Sequence, residues 1–306
     1  RMRMNKRSGS ILLYVIIIIG VVIGLVSLCV GYAYNRSRLI AAEEARYSLR
    51  NTALDALSQV MWNINADTNG FDCAVEGSIS SRIVNGCEVT IEPANARFNF
   101  TSFQGKRFVE LVPLLAPEDA DDADIVAQAI IDGWIEVLQV HGERYTPNAI
   151  EEFYGYKRLG DASPLIFESI FKYFTVYRMK REDQLLNLNM VRLDLLPYLV
   201  LTNNSSSSDG NVKAMLNLQA RLKQIREKEL FFVGTDALSA KAVLVASSQS
   251  QNFSQSDAML LMSLANSFTV KSEDFYITVI ARNATSSHRI ECVYERGTGK
   301  IKRWVE

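Results

Sequence analysis

The sequence predicts an α+β protein in which one long N-terminal helix packs on a small antiparallel sheet, and a large helical insertion interrupts that sheet. First, the segment Ser10–Tyr34 is apolar enough to form a single transmembrane helix, and helical periodicity continues beyond it. Second, β-rich segments lie at two places that are far apart in the chain. Third, the residues between them, 117–266, carry mainly helical patterns.

The apolar segment Ser10–Tyr34 has no ionisable side chain other than tyrosine hydroxyls. As a helix it is about 37 Å long, which is enough to cross the hydrocarbon of a bilayer. Four basic residues and no acidic residue precede it within residues 1–9, so we expect a cytoplasmic N-terminus and an exported body. A cleaved signal peptide is disfavoured, because the apolar run is too long and no A-x-A-like site follows. A plain signal anchor is the alternative.

The helix is predicted to continue outside the membrane through residues 35–64. No proline or glycine lies between Asn35 and Trp62. Apolar residues recur at helical spacing on one face, and the others are largely charged or polar. These apolar positions are Leu39, Ala42, Ala45, Leu49, Ala53, Leu57 and Val60. We expect this face to pack on a globular head.

Strand patterns occur in residues 65–116 and again in residues 267–306. Asn85-Gly86 is a strong hairpin signal, because both residues tolerate positive φ, and it joins Ser78–Val84 to Cys87–Ile91. The later strands are predicted at Phe275–Ile280, Arg289–Glu295 and Ile301–Val305. Because an isolated hairpin is only marginally stable, the early and late strands are expected to form one sheet against the long helix.

The insertion, residues 117–266, is predicted to be helical, with Asp, Ser or Thr at several helix starts. The predicted helices are Ile125–Val140, Pro164–Tyr177, Asp194–Leu201, Val212–Glu229, Thr235–Ser247 and Ser256–Ser267.

Three cysteines, Cys73, Cys87 and Cys292, lie outside the apolar segment. In an exported body one disulfide among them is an expectation, either Cys73–Cys87 or Cys87–Cys292, and three buried thiols are the alternative. The sequence does not choose between these arrangements.

The composition argues against enzymatic and nucleic-acid-binding functions. There are two histidines and no H-E-x-x-H, G-x-S-x-G or P-loop motif. Beyond residue 9 the chain has 29 basic and 34 acidic residues, which gives no electrostatic reason to bind nucleic acid. Asn187-Leu188-Asn189 is similar to the opening of a helix-hairpin-helix module, but the glycine-rich hairpin that holds phosphate is missing. Asn187 and Asn189 are therefore expected to cap helices.

An acidic run precedes the first predicted helix of the insertion, with candidate ligands Asp119, Asp121, Asp122 and Asp124. It lacks the glycine and the distal glutamate of an EF-hand loop. We expect a solvated helix start, where acidic residues favour the helix dipole. A calcium site is the alternative, because calcium prefers oxygen ligands.

Several segments, taken in order, are similar to one known family. They are Gly9-Ser10-Ile11-Leu12-Leu13, Ile91–Phe100, Ala129–Glu136 with Asp132 and Trp134, Gly142–Tyr145, Ser163–Ile170, Leu186–Asn189 and Phe268–Arg282. Together they resemble the type II secretion minor pseudopilin of the K family (general secretion pathway protein K). The chain departs from that family's pattern at Ala96, Gly133, Glu136 and Met190.

This resemblance implies a pilin-like fold and a non-enzymatic assembly role at the tip of a secretion pseudopilus. It implies a prepilin leader, residues 1–9, that a prepilin peptidase cuts between Gly9 and Ser10, followed by methylation of the new N-terminus. A mature helix starting with Ile11, Tyr14, Ile18 and Val22 would then associate with other minor pseudopilins in a bacterial inner membrane, with the body in the periplasm. Most pilins have a glutamate at the fifth position of the mature chain, and this family lacks it. In this chain that position is Tyr14. The family is also associated with calcium in its head.

Two alternatives remain from the sequence. One is a minor pilin of a type IV pilus, and the other is a signal-anchored periplasmic domain with a binding or enzymatic role.

Overall fold

A computed structural model of the chain describes residues 6–68, 71–72, 82–99, 128, 131–132, 135–136, 139–142, 173–177, 186–198, 209–227, 231–232 and 268–306. The described helices are α1 (Lys6–Ala66) and α2 (Asp209–Glu227), with short 3-10 helices at Ala94–Ala96 and Leu193–Tyr198. The strands are β1 (Arg82–Val84), β2 (Cys87–Pro93), β3 (Phe98–Asn99), β4 (Phe174–Thr175), β5 (Leu186–Asn187), β6 (Phe268–Thr269), β7 (Asp274–Arg282), β8 (Ser287–Glu295) and β9 (Ile301–Val305).

The helix α1 has 61 residues and is about 90 Å long. It is one continuous element with two environments. The described side chains of its N-terminal part, from Leu12 to Tyr34, are exposed, whereas its C-terminal part buries one face against the sheet. The buried positions follow helical spacing and are Leu49, Ala53, Ala56, Leu57, Val60 and Ile64. Two alanines at the centre of this face let the helix approach the sheet closely.

Five antiparallel strands form the sheet, in the order β1-β2-β7-β8-β9. Asn85 has φ of 50° and Gly86 has φ of 76°, so the predicted tight turn between β1 and β2 is confirmed. In β2, Val89 and Ile91 face α1, while Glu88 and Thr90 alternate with them on the other face. Ile91 pairs with Ile277 of β7, which in turn pairs with Cys292 of β8. The predicted α+β architecture, with early and late strands in one sheet against the long helix, is therefore confirmed.

Part of the insertion covers the other face of the sheet. The Thr175 hydroxyl lies 3.0 Å from the Tyr276 hydroxyl, and the Tyr177 and Tyr276 rings meet edge to face at 5.6 Å. The guanidinium of Arg97 lies 4.3 Å from the centre of the Tyr276 ring, and it forms an ion pair with Glu92. The sheet is therefore a middle layer between α1 and the segments around Arg97 and β4.

The helical prediction for the insertion is correct in some places and wrong in one. The helix α2 matches the predicted Val212–Glu229, and the described residues between 128 and 141 are helical. The prediction for Asp194–Leu201 is met by a 3-10 helix, Leu193–Tyr198. Pro164–Tyr177 is wrong at its C-terminal end, because β4 pairs in parallel with β3 and buries Phe174 against Phe98. The two predicted helices after residue 233 lie outside the described residues.

The disulfide alternative Cys87–Cys292 is wrong, because Cys87 and Cys292 are both free thiols. The sheet register explains this: Cys292 lies level with Ile91, two strands away and four residues along from Cys87. Their Cα atoms are about 16 Å apart on strand spacings, well beyond the reach of a disulfide. Cys73 lies outside the described residues, and Cys87 is not bonded to it.

Candidate assembly surface

The N-terminal part of α1 is an apolar rod, which we define as Leu12–Tyr34. It lies in α1, which among the described residues is the one helix that is long and apolar enough to cross a membrane. In the most apolar 18-residue stretch of this helix, no residue is buried. It is about 33 Å long, close to the thickness of a bilayer's hydrocarbon. The rod therefore has the length and composition of a single-pass membrane anchor.

The predicted assembly residues Tyr14, Ile18 and Val22 lie on one face of the rod, four residues apart, and each is more than half exposed. Gly9, Ser10 and Ile11 lie in the first turns of α1, where the structure describes the backbone. The structure thus places the predicted cleavage position within the same helix as the rod.

The rod also carries small residues that the sequence analysis did not single out. Gly20 and Gly24 are four residues apart, and Gly31 follows two turns later. A Cβ atom at any of the three would meet no other atom within 4 Å. Small residues at this spacing allow the backbones of two membrane helices to approach closely.

Charged side chains cluster where α1 passes from the exposed segment into the head. Arg50 on α1 forms an ion pair with Glu306, and Nε2 of His288 lies 3.2 Å from the same carboxylate. The hydrogen bond from Arg50 lowers the pKa of Glu306 below its usual value. Together with Glu43, Arg46 and Tyr47, these residues line a cleft of about 430 Å³. Because the Arg50–Glu306 pair is exposed, it orients the chain more than it stabilises it.

On the head, a group of buried and half-buried polar side chains joins the insertion to the sheet, and we call it the polar junction. Its members are Asp72, Asn95, Asn187, Asn189, Ser272 and Arg296. They come from the exit of α1, the exit of β2, the insertion, the entry to β7 and the end of β8. The polar junction is therefore the point where distant parts of the chain meet.

Asp72 is central to the polar junction and its side chain is fully buried. Its carboxylate accepts two hydrogen bonds from Arg296, at 2.6 and 3.2 Å, and one from the Ser272 amide at 2.6 Å. Burial raises the pKa of Asp72, while the bonds from Arg296 act in the opposite direction. Removing Arg296 would leave the buried Asp72 carboxylate without its cation, which is far more costly than the pair's net contribution.

Asn187 and Asn189 lie in this junction. The Asn187 Oδ1 accepts a hydrogen bond from the Asn189 backbone amide at 3.0 Å, so Asn187 caps a local turn, but neither side chain caps a described helix as expected. The Asn187 amide donates to Oγ of Ser272 at 2.8 Å, and Ser272 donates to Oδ1 of Asn95 at 2.6 Å. The Asn189 amide donates to the carbonyl of Phe232 at 2.8 Å and that of Asp72 at 3.2 Å. Its Oδ1 accepts from the Phe232 amide at 2.7 Å. Both side chains therefore bind backbone or side chains far away in the sequence.

The other candidate residues are not brought together. Asp132 accepts a hydrogen bond from Gln128 at 3.0 Å on an exposed helix face, and Trp134 lies outside the described residues. Asp119, Asp121, Asp122 and Asp124 also lie outside them, so calcium binding stays a prediction. Within the described part of the chain, no group of three or more His, Cys, Asp or Glu side chains could hold a metal ion.

No protein-family model matches the chain. A search of curated proteins finds no match. Among solved structures, the chain is similar to a chain in the crystal structure of the GspK-GspI-GspJ complex from the enterotoxigenic Escherichia coli type 2 secretion system. The two share 14% sequence identity over 89% of this chain and 96% of that chain, with a TM-score of 0.47.

Proposed function

We propose that this chain is a minor pseudopilin that assembles near the tip of a type II secretion pseudopilus and supports protein export across the outer membrane. The observation that carries the proposal is the continuity of α1, whose apolar rod stands clear of the head while its C-terminal part is buried in the sheet. The sequence motifs that resemble the K family of minor pseudopilins support the same assignment.

The exposed rod requires an apolar environment. Each large aliphatic side chain taken out of water contributes about 1.5–3 kcal/mol, and the rod carries more than a dozen. A lipid bilayer or a bundle of similar helices provides that environment. Because one unbroken helix connects the rod to the sheet, a partner that binds the rod also sets the position of the head.

The small residues of the rod suggest how a neighbouring helix would pack. Gly20 and Gly24 remove two side chains from one face, so another helix backbone can come close there. In the proposed cycle, a prepilin peptidase cuts between Gly9 and Ser10, and the methylated Ser10 then begins the mature helix. The chain is then a bacterial inner-membrane protein whose N-terminus lies in the cytoplasm and whose head lies in the periplasm.

The tip position follows from two features. Tyr14 offers no carboxylate to a terminal amine of a neighbouring subunit, unlike the glutamate of most pilins. The insertion between β2 and β7 adds bulk to the head, which would obstruct stacking of a further subunit. In this proposal the chain contributes binding surfaces to the assembly and is not an enzyme.

The variant Gly24→Leu tests the assembly role of the rod. Since a Cβ at Gly24 meets nothing within the chain, the substitution leaves the fold intact and acts on partners alone. We expect co-purification with other pseudopilins from detergent-solubilised membranes to fall about tenfold, because overpacking costs on the order of 1–3 kcal/mol. Ala33→Leu is the matched control, since it adds similar bulk on the opposite face of the rod.

Equal co-purification of both variants and of the unsubstituted chain would show that the glycine face is not an interface. Co-purification with type IV pilins, and not with secretion pseudopilins, would instead support a minor pilin of a type IV pilus.

A further inference from the structure

Two tyrosines and two arginines lie where the apolar rod ends. Tyr32 is 70% exposed and Tyr34 is 62% exposed, and Arg36 and Arg38 follow on the same helix with exposed side chains. The guanidinium carbon of Arg38 lies 5.9 Å from the centre of the Tyr34 ring. There is no acidic residue from Leu12 to Ala42, so the local charge at this level of α1 is positive.

These four side chains surround the helix. At about 100° per residue, Tyr32 and Arg36 point within about 40° of each other, and so do Tyr34 and Arg38. The two pairs point about 160° apart, on nearly opposite sides of α1. A protein partner that docks on one face would meet only one pair. An environment that encloses the helix on all sides meets both.

We propose that Tyr32, Tyr34, Arg36 and Arg38 form a girdle that binds the phosphate groups of phospholipids and fixes the height of the head above the membrane. This inference rests on the proposed function, in which the rod lies in the bilayer. Tyrosine rings favour the boundary between hydrocarbon and headgroups, and arginines extend from that boundary toward phosphate oxygens. The positive charge of the girdle is complementary to those phosphates.

The girdle sets a defined spacing between membrane and head. From Arg38 to Leu49, the first buried residue of α1, the helix rises about 16 Å. Three residues that line the cleft, Glu43, Arg46 and Tyr47, lie within this interval. If the girdle holds the headgroup layer, the head cannot sink toward the bilayer or slide away from it.

A cysteine reporter at position 37 tests the girdle in the full-length chain reconstituted into vesicles. Ser37→Cys is introduced with Cys29→Ala and Cys73→Ala, while Cys87 and Cys292 are buried in the head and react slowly. In phosphatidylcholine vesicles a membrane-impermeant maleimide should label position 37. Arg36→Leu/Arg38→Leu should lower the labelling rate about tenfold, because the extended apolar run lets position 37 enter the hydrocarbon. Arg46→Leu, which removes an arginine nearer the head, should not change it.

Vesicles of digalactosyldiacylglycerol, whose headgroup has no phosphate, separate phosphate binding from simple exposure of charge to water. In them the chain with both arginines should label as slowly as the double variant. Equal labelling with and without the two arginines in phosphatidylcholine overturns the girdle. An arginine effect of the same size in both lipids overturns its phosphate specificity. A second reporter, Val22→Cys, tests the proposed function separately: its labelling would show that the rod is not in the bilayer at all.

Discussion

The polar junction makes a sharp prediction for Asn189→Ala. In the native chain the Asn189 side chain satisfies three buried backbone groups: the amide and carbonyl of Phe232 and the carbonyl of Asp72. Alanine can replace none of these bonds, and Asn189 is 6% exposed, so water has little access to the vacated position. The substitution therefore removes three buried hydrogen bonds that join the insertion to the rest of the polar junction.

The size of the effect follows from those three hydrogen bonds. Each typically contributes about 0.5–1.5 kcal/mol to stability. The sum is about 3 kcal/mol, or about a hundredfold in the equilibrium between the closed and the locally open polar junction. Asn189→Asp should be at least as damaging, because it keeps the acceptor for the Phe232 amide but sets a carboxylate against two carbonyl oxygens.

Hydrogen exchange measured by mass spectrometry on the solubilised full-length chain is the suitable assay. In Asn189→Ala, amides of the segments that meet in the junction should lose protection together, including those of Leu188 and Ser272, which bond to Thr269 and Asp72. Asn51→Ala, on the exposed face of α1, is the control and should leave these amides unchanged. A loss of protection confined to the Phe232 amide would refute the reasoning, since it would show that the junction does not open as a unit.

Two further predictions concern the sheet. Gly86→Ala should destabilise the head by about 1 kcal/mol, because Gly86 has φ of 76°. Gly20→Ala in the rod is the control and should not destabilise the head. Thermal denaturation followed by circular dichroism compares the two variants, and equal midpoints would contradict the turn assignment. Burial raises the pKa of the Cys292 thiol from 9.0 to about 12. Since the unfolded thiol ionises above pH 9.0 and the folded one does not until about pH 12, the free energy of unfolding should fall across that interval by up to about 4 kcal/mol. Cys292→Ala should flatten this alkaline slope in denaturant titrations, and an unchanged slope would show that the thiol does not contribute.

The sequence predicted the elements whose signals are local. The rod is a continuous apolar run, the hairpin depends on Asn85-Gly86, and the closing strands alternate buried and exposed residues over a few positions. The union of early and late strands followed from a physical argument, that a lone hairpin is marginal. Each of these inferences needed only neighbouring residues or a general rule of sheet stability.

The junction could not be predicted in this way, because its partners are distant in the chain. Asn189 and Phe232 are separated by 43 residues, and Ser272 and Asp72 by 200. No periodicity in the sequence connects such distant positions, so Asp72 and Ser272 could not be distinguished from ordinary loop residues. Phe174 shows the same limit: its apolar neighbourhood fits a helix, and only the pairing of β4 with β3 makes it a strand.

In the proposed function, α1 loses its basic leader and then enters an assembly of similar helices. Mass spectrometry of the N-terminal peptide, from the chain produced in cells with an active prepilin peptidase, tests it most directly. We expect a peptide that begins at methylated Ser10, and a longer leader-bearing species when Gly9 is substituted. A native chain that keeps Arg7 and Ser8 would contradict it.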